Sequence, residues 1–169
     1  MKPTISKAAL PFSDNLNQLV KQLFNTHLPV AIQHNSFIMN EVSKDISLIT
    51  NKFLVGNLLS SVLQTIIEHT HNSCIKINAR EYDDVTFIRF DFNNQHNSAA
   101  INYRLEKVKY IAEKLYGNLV FEANDAHHAS IIFRFPNLAF VNWQTYHQQP
   151  EVLDNIHGSQ KVFYQRKAG

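Results

Sequence analysis

The stretch FLVGNLLSSVLQTIIEHTHNSCIKI, residues 53–77, is predicted to form one long helix that leads directly into a strand. Its apolar side chains recur at the spacing that keeps one stripe along a helix of 3.6 residues per turn. This stripe consists of Leu58, Leu59, Val62, Leu63, Ile66 and Ile67. Beyond His71, apolar and polar residues alternate instead, as in a strand buried on one face. A helix that continues into a sheet is therefore the predicted scaffold.

The side of this helix away from the apolar stripe is polar, and it is the first candidate for a functional surface. Helical spacing places Ser61, Thr65, Glu68 and His69 together on this side. Simple solvation also produces a polar helix face, so both interpretations stay open.

The composition argues against several classes of protein. The 169 residues predict one domain, and a hydrophobic content of 44% is ample for a packed core. The formal charge of +2 is too small and too scattered to favour nucleic acid or a membrane surface as a partner. No segment has the pattern of a signal peptide or a membrane span, so a cytoplasmic protein is predicted.

Glycine and cysteine are both scarce in this chain. The four glycines, Gly56, Gly117, Gly158 and Gly169, are too far apart to form a loop whose backbone cradles a phosphate. The single cysteine, Cys74, excludes an internal disulfide and is more typical of a small buried residue than of a nucleophile.

Nine histidines invite a metal site, but their arrangement does not favour one. His69 and His71 are two positions apart, and His127 and His128 are neighbours in a predicted loop. No metal ligands are therefore predicted. His27 is expected to end the first helix without a following acid, so it is not predicted to be a phosphoacceptor.

One helix and two strands are predicted before the long helix. Asp14 is expected to cap the first helix, whose apolar face is expected to end before Pro29. Short strands over residues 37–42 and 46–49, with a turn between them, are expected to form a hairpin. Asn51 is expected to cap the long helix.

The next strand and helix follow a turn at residues 82–84. The dense apolar run of residues 85–92 predicts a central strand buried on both faces, with Asp91 near its end. Residues 93–100 are predicted to be a polar loop. The amphipathic helix after this loop is expected to stop at Gly117. Its solvent face is expected to carry Arg104, Glu106, Lys107, Lys109, Glu113 and Lys114.

The order of these elements predicts the fold class. Two last strands, residues 119–122 and 131–135, are expected to form a hairpin that Pro136 closes. Strand pairs that alternate with helices indicate an α+β protein, a two-layer α/β sandwich with a mixed, mostly antiparallel sheet and the helices on one face. The predicted division is a lead-in over residues 1–13, a domain over 14–136, and an extension over 137–169 that packs on the domain or a partner.

Three segments, in this order, resemble the ATP-binding domain of sensor histidine kinases, within the histidine-kinase-like ATPase (GHKL, or Bergerat) family. SVLQTIIEHT, residues 61–70, resembles the Asn-box, which is close to N-L-L-x-N-A-x-K-Y-T. FDFNNQ, residues 90–95, resembles the first glycine box, D-x-G-x-G, whose aspartate recognises the adenine amino group in the family. Residues 103–122 with 129–136 resemble the closing helix and hairpin, which ends in Leu-Pro. The resemblance implies the Bergerat fold over roughly residues 14–136.

The resemblance also implies which residues would line the nucleotide pocket, and nearly all of them depart from the family pattern. Ser61 and Thr65 stand where the Asn-box has asparagines, and Glu68 stands where it usually has lysine or arginine. Asp91 matches the adenine-binding aspartate. The alternative interpretation is that Asp91 is a carboxylate at a strand end that only caps the following loop. The positions that carry glycines in the two glycine boxes are occupied by Asn93, Gln95, Asn102 and Arg104. A hydroxyl is also a poor replacement for an amide carbonyl facing Mg²⁺.

Two hypotheses follow. The first is a signalling module of two-component type with a degenerate nucleotide site, a pseudokinase that uses no cofactor and binds a kinase, a response regulator or a second copy of itself. Neither nucleic acid nor a membrane is an expected partner. The alternative is an active ATP-binding sensor-kinase or anti-sigma-type kinase domain with diverged motifs, which would require ATP and Mg²⁺. Under the first hypothesis, Asp91 could still leave weak, magnesium-independent adenine binding in a cleft beside the long helix.

Overall fold

A computed structural model of the protein describes residues 14–93, 97–123, 125 and 127–137. The described residues form three helices, which are α1 (Leu16–Gln33), α2 (Lys52–Glu68) and α3 (Ser98–Lys114). They also form seven strands, which are β1 (Asp14–Asn15), β2 (Phe37–Asn40), β3 (Ser47–Leu48), β4 (Cys74–Tyr82), β5 (Val85–Asn93), β6 (Asn118–Ala123) and β7 (His128–Pro136).

Five of the strands form one mixed sheet in the order β2-β4-β5-β7-β6. Strand β2 runs parallel to β4, and every other neighbouring pair in this sheet is antiparallel. Strands β1 and β3 pair separately as a small antiparallel ribbon. The predicted α+β class, the mostly antiparallel sheet and the central position of β5 are confirmed.

The core lies between the helices and one face of this sheet. The apolar stripe predicted for α2 is buried in it, together with inward-facing residues of the sheet. Along β5, buried residues alternate with partly exposed ones, so Ile88, Phe90 and Phe92 face the core while Arg89 and Asp91 face away. The prediction that this strand is buried on both faces is therefore wrong. We call the face away from the helices the open face.

Helix α1 differs from its prediction at both ends. Its cap is Asn15 rather than Asp14, since the Asn15 side chain accepts a hydrogen bond from the backbone N–H of Gln18 at 3.2 Å. The helix also continues past Pro29, although an interior proline is intrinsically unfavourable by about 3 kcal/mol. Burial of Ala31 in the core, beyond the proline, is the contact that favours the continued helix.

The two strands predicted as a hairpin do not pair with each other. Strand β2 pairs with β4, and the backbone N–H of Glu41 extends that pairing by donating to Ile77 O at 2.8 Å. Strand β3 pairs with β1 instead. The predicted cap at Asn51 is confirmed, because its side chain accepts from the Leu54 N–H at 3.1 Å. The β4–β5 and β6–β7 hairpins are also confirmed.

Helix α3 ends as predicted near Gly117, but the glycine has a different role. The residue with a left-handed backbone is Tyr116, at φ 57°, and Gly117 has no positive φ. A Cβ on Gly117 would lie 2.5 Å from the carbonyl oxygen of Arg134 and 2.7 Å from Cε2 of Phe133. Glycine is therefore required here because the chain passes directly against β7.

Asn137, the first residue after β7, is bonded to the β4–β5 turn and to the segment that contains β3. Its side chain accepts from the Ile49 N–H at 2.8 Å and donates to Ser47 O at 2.6 Å. Its backbone N–H donates to Asp84 O at 2.8 Å. The predicted boundaries after residues 13 and 136 stay predictions, because residues 1–13 and 138–169 lie outside the described ones.

His27 lies inside α1 and is 8% exposed, so the expectation that it ends the first helix is wrong. Its Nε2 lies 2.8 Å from the Ser60 hydroxyl oxygen on α2, which joins the two helices. Burial lowers the pKa of His27 from the ordinary value of 6.5, because the charged imidazolium loses hydration there.

The lowered pKa of His27 predicts the direction of a pH dependence. Below pH 6.5 the unfolded chain binds more protons at this site than the folded one, so the free energy of unfolding should fall as pH falls. We expect His27→Gln to flatten this slope in urea titrations between about pH 7 and pH 5. The matched control is His127→Gln in an exposed loop, which should keep the slope. A slope that His27→Gln left unchanged would contradict the assignment.

Candidate functional site

The polar face of α2 keeps its hydroxyl groups bonded to its own backbone. Ser61 Oγ donates to Asn57 O at 2.8 Å, and Thr65 Oγ1 donates to Ser61 O at 2.8 Å. Thr65 is also 6% exposed, so it lies in the helix packing rather than on a solvated face. Each hydroxyl proton is thus used within the helix.

Glu68, one helical turn after Thr65, contacts two other side chains. Its Oε1 accepts a hydrogen bond from Gln64 Nε2 at 2.7 Å. Its Oε2 lies 3.8 Å from a terminal nitrogen of Arg104, which belongs to α3. Two residues that the resemblance assigns to the nucleotide pocket therefore meet, and they meet as an ion pair. Both side chains are partly solvated, so this pair contributes little to stability.

The remaining residues implied by the resemblance lie apart from this pair. Asn102 is exposed on α3. Asn93 holds the start of β4, since its side chain accepts from the Cys74 N–H at 2.7 Å and its carbonyl accepts from the Ser73 hydroxyl at 2.7 Å. Gln95 lies outside the described residues.

Asp91 faces away from α2, on the open face of the sheet. Its Oδ1 accepts from Arg89 Nε at 2.6 Å and from the Ser130 hydroxyl at 2.8 Å, and its Oδ2 accepts from Asn78 Nδ2 at 3.1 Å. These partners lie on the same face of β4, β5 and β7. The expectation that Asp91 borders a cleft between the sheet and the long helix is therefore wrong. The alternation of Ile88, Phe90 and Phe92 was the signal that could have shown its direction.

A depression of about 650 Å³ lies beside this cluster on the open face. Lys76, Asp91, Asn93, His128 and Ser130 contribute its polar lining. Near its rim, His128 Nδ1 lies 3.0 Å from a carboxylate oxygen of Asp125. Hydrogen bonding from the His127 N–H is the main cause of a lowered pKa of the exposed Asp125. Sequence reasoning did not find this depression, because it depends on which strands become neighbours.

The described histidines do not form a metal site. His34 and His71 stack with ring centroids 4.9 Å apart, whereas His127, in the β6–β7 connection, and His128, the first residue of β7, are exposed. No group of three or more His, Cys, Asp or Glu within the described ranges could hold a metal ion.

Among the described residues, no helix is long and apolar enough to cross a membrane.

The fold matches solved catalytic domains of histidine kinases. The catalytic domain of histidine kinase ThkA aligns with a TM-score of 0.62 and 15% identity over 75% of this chain and 95% of that one. ThkA in complex with the response regulator TrrA aligns with a TM-score of 0.63 and 16% identity, over 76% of this chain and 42% of that one. Full-length ShkA in complex with AMPPNP aligns with a TM-score of 0.62 and 14% identity, over 81% and 33%.

No protein-family model matches the chain, and no curated protein matches it. The similarity to solved structures nevertheless shows that the chain has the histidine-kinase-like fold that the resemblance implies. Within this fold, Ser61, Thr65, Glu68 and Arg104 lie on or between α2 and α3, whereas Asp91 belongs to the open face.

Proposed function

We propose that this chain is a histidine-kinase-like module with a degenerate nucleotide site, which acts in two-component-type regulation by binding another protein. The observation that carries this proposal is the set of contacts on the polar face of α2. Ser61 and Thr65 donate back to the helix, and Glu68 is engaged with Gln64 and Arg104. These groups do not present the pattern of free donors and amide oxygens that a nucleotide with its metal requires.

The chemistry of phosphoryl transfer explains why these contacts support the proposal. Catalysis needs Mg²⁺ and precisely held phosphates, with cations that stabilise the charge of the transferring group. At the positions implied by the resemblance, this chain has two hydroxyls in place of amides and a glutamate in place of a cation. A carboxylate could contact Mg²⁺ but would repel the phosphates, so it does not restore the missing set.

A protein of similar fold supports a protein partner for this chain. One protein of similar fold, ThkA, is seen in complex with a response regulator. A response regulator, a kinase or a second copy of this chain are therefore the proposed partner classes. The small net charge of +2 gives no support for nucleic acid.

An active ATP-binding kinase domain is the second candidate. It is favoured by the fold similarity to ShkA, which binds AMPPNP in its structure. Under this alternative, Glu68 would release Arg104 when nucleotide and Mg²⁺ enter.

Nucleotide titration distinguishes the two candidates. We expect ATP, ADP and adenosine at millimolar concentration, with and without Mg²⁺, to leave the melting temperature unchanged. A ligand at a hundredfold its Kd would instead stabilise the fold by about 2.7 kcal/mol. We also expect Asp91→Asn to have no effect on any residual adenosine binding, since Asp91 faces away from α2.

Turnover of radiolabelled ATP supplies the second readout. We expect none above a blank. Protein-dependent turnover that Thr65→Ala abolishes would overturn the proposal and support the active kinase. Thr26→Ala is the matched control, because Thr26 makes the same bond to its own helix backbone, at 3.0 Å to Gln22 O, on α1.

A further inference from the structure

The solvent side of α3 carries two tyrosines and two lysines in a regular row. Tyr103, Lys107, Tyr110 and Lys114 follow one another at steps of four, three and four residues. These steps keep the four side chains on one line along the helix. The line lies on the side opposite the buried residues Ile101, Leu105, Val108 and Ala112. We call these four residues the tyrosine–lysine stripe.

Within the stripe, each lysine lies over a tyrosine ring. Lys107 Nζ is 5.0 Å from the ring centroid of Tyr103, and Lys114 Nζ is 4.4 Å from that of Tyr110. The two tyrosines are nevertheless 65% and 60% exposed, respectively. Such cation–π contacts order the side chains without neutralising the lysines. The stripe therefore presents flat aromatic surface with positive charge directly beside it.

Lys109, on the same helix but outside the stripe, differs from the stripe lysines in having a carboxylate partner. Lys109 Nζ forms an ion pair with Glu106, whereas neither Lys107 nor Lys114 has a carboxylate partner in the described part of the chain. The charges of the stripe are thus available to an outside group. Tyrosines are common anchors of protein interfaces.

The spacing of the stripe selects the shape of a partner. Alternating steps of three and four residues form the seam by which one helix packs along another. The charges select its chemistry, because carboxylates on a partner helix would face Lys107 and Lys114. Glu113, and Glu106 in its pair with Lys109, flank the stripe on one side. A helix can place separate carboxylates over Lys107 and Lys114 and avoid these glutamates, whereas the continuous negative charge of nucleic acid or an anionic membrane cannot.

We propose that the tyrosine–lysine stripe is a docking surface for an acidic amphipathic helix of a protein partner. Apolar side chains of that helix cover the tyrosines, and its carboxylates pair with the two lysines. This inference rests on the proposed function in one respect, namely that the chain acts by binding protein.

A synthetic helix tests this proposal on the full-length chain. The probe is a fluorescein-labelled peptide of three heptads, with leucine at one seam position of each heptad and glutamate at the other. We expect the intact protein to bind this acidic peptide in fluorescence anisotropy and not to bind the same peptide with lysine in place of glutamate. Affinity should fall as salt rises.

Two double variants locate the binding. We expect Lys107→Glu with Lys114→Glu, and separately Tyr103→Ala with Tyr110→Ala, to weaken binding about tenfold or more. Lys109→Glu is the control on the same helix away from the stripe, and it is compared with Lys107→Glu alone, because each of these reverses one lysine charge whereas the double variant reverses two. Lys109→Glu should change the Kd less than about threefold. Circular dichroism and thermal melting confirm that each variant is folded.

Several outcomes would overturn the proposal. One is absence of binding to the acidic peptide, and another is an equal loss of binding in Lys109→Glu. A third is tighter binding to DNA or to vesicles of anionic phospholipid than to the peptide. A fourth is the observation in sedimentation of a dimer that becomes monomeric in the stripe variants, which would assign the surface to a second copy of this chain. Because the assay contains no nucleotide, ATP turnover would refute the proposed function and leave this surface intact.

Discussion

Replacing Gly117 by alanine is expected to lower the free energy of unfolding by about 3 kcal/mol. The added Cβ would lie 2.5 Å from the carbonyl oxygen of Arg134 and 2.7 Å from the ring of Phe133. The backbone oxygen cannot rotate away as a flexible side chain could, and Phe133 is fully buried. The start of β6 must therefore move away from β7. In a thermal melt the expected decrease in Tm is about 6–12 °C.

Gly56→Ala is the matched control for this substitution. Gly56 lies within α2, and a Cβ there would meet only Leu19 Cδ1, at an ordinary distance of 3.5 Å. Alanine is a better helix former than glycine, so this change should raise the free energy of unfolding by about 0.5–1 kcal/mol. An unchanged or higher Tm for Gly117→Ala would contradict the close approach at Gly117.

Replacing Asn137 by alanine is expected to lower the free energy of unfolding by about 2–3 kcal/mol. Asn137 is 2% exposed, and its side chain bonds to the Ile49 N–H and to Ser47 O. Alanine would leave these backbone groups without their partner next to β3. The two-stranded ribbon of β1 and β3 would lose its link to the end of β7.

Chemical denaturation of the full-length chain measures this effect. Asn25→Ala is the control, because Asn25 is exposed on α1 and alanine suits a helix. It should leave stability unchanged or slightly higher. Equal stability of Asn137→Ala and the parent protein would show that these hydrogen bonds are replaced by water.

The sequence was sufficient for elements whose signals are local. The stripe of α2 and its Asn51 cap were predicted from spacing and capping alone. The interior proline of α1 and the pairing of β2 with β4 were not, because packing against distant residues decides both. Local propensity cannot report such contacts.

The candidate site shows the same division. Ser61, Thr65 and Glu68 do share one side of α2, because helical spacing is regular, but Thr65 is buried there rather than solvated. The direction of Asp91 depends on the register of β5, where a shift of one position reverses every side chain. The Glu68–Arg104 contact joins two helices, and the sequence of neither helix indicates that these two residues meet. Prediction from sequence therefore identified groups on one element but not their partners on another.

The contact between Glu68 and Arg104 has an evolutionary consequence. A lysine at position 68, the type of residue usual in the kinase pattern, would face the Arg104 guanidinium across the present 3.8 Å. Because both side chains are partly solvated, the repulsion between the two cations would be modest, but it would disfavour that single change relative to a paired change at position 104. The two positions should therefore covary in related sequences, with an acid at one accompanied by a base at the other.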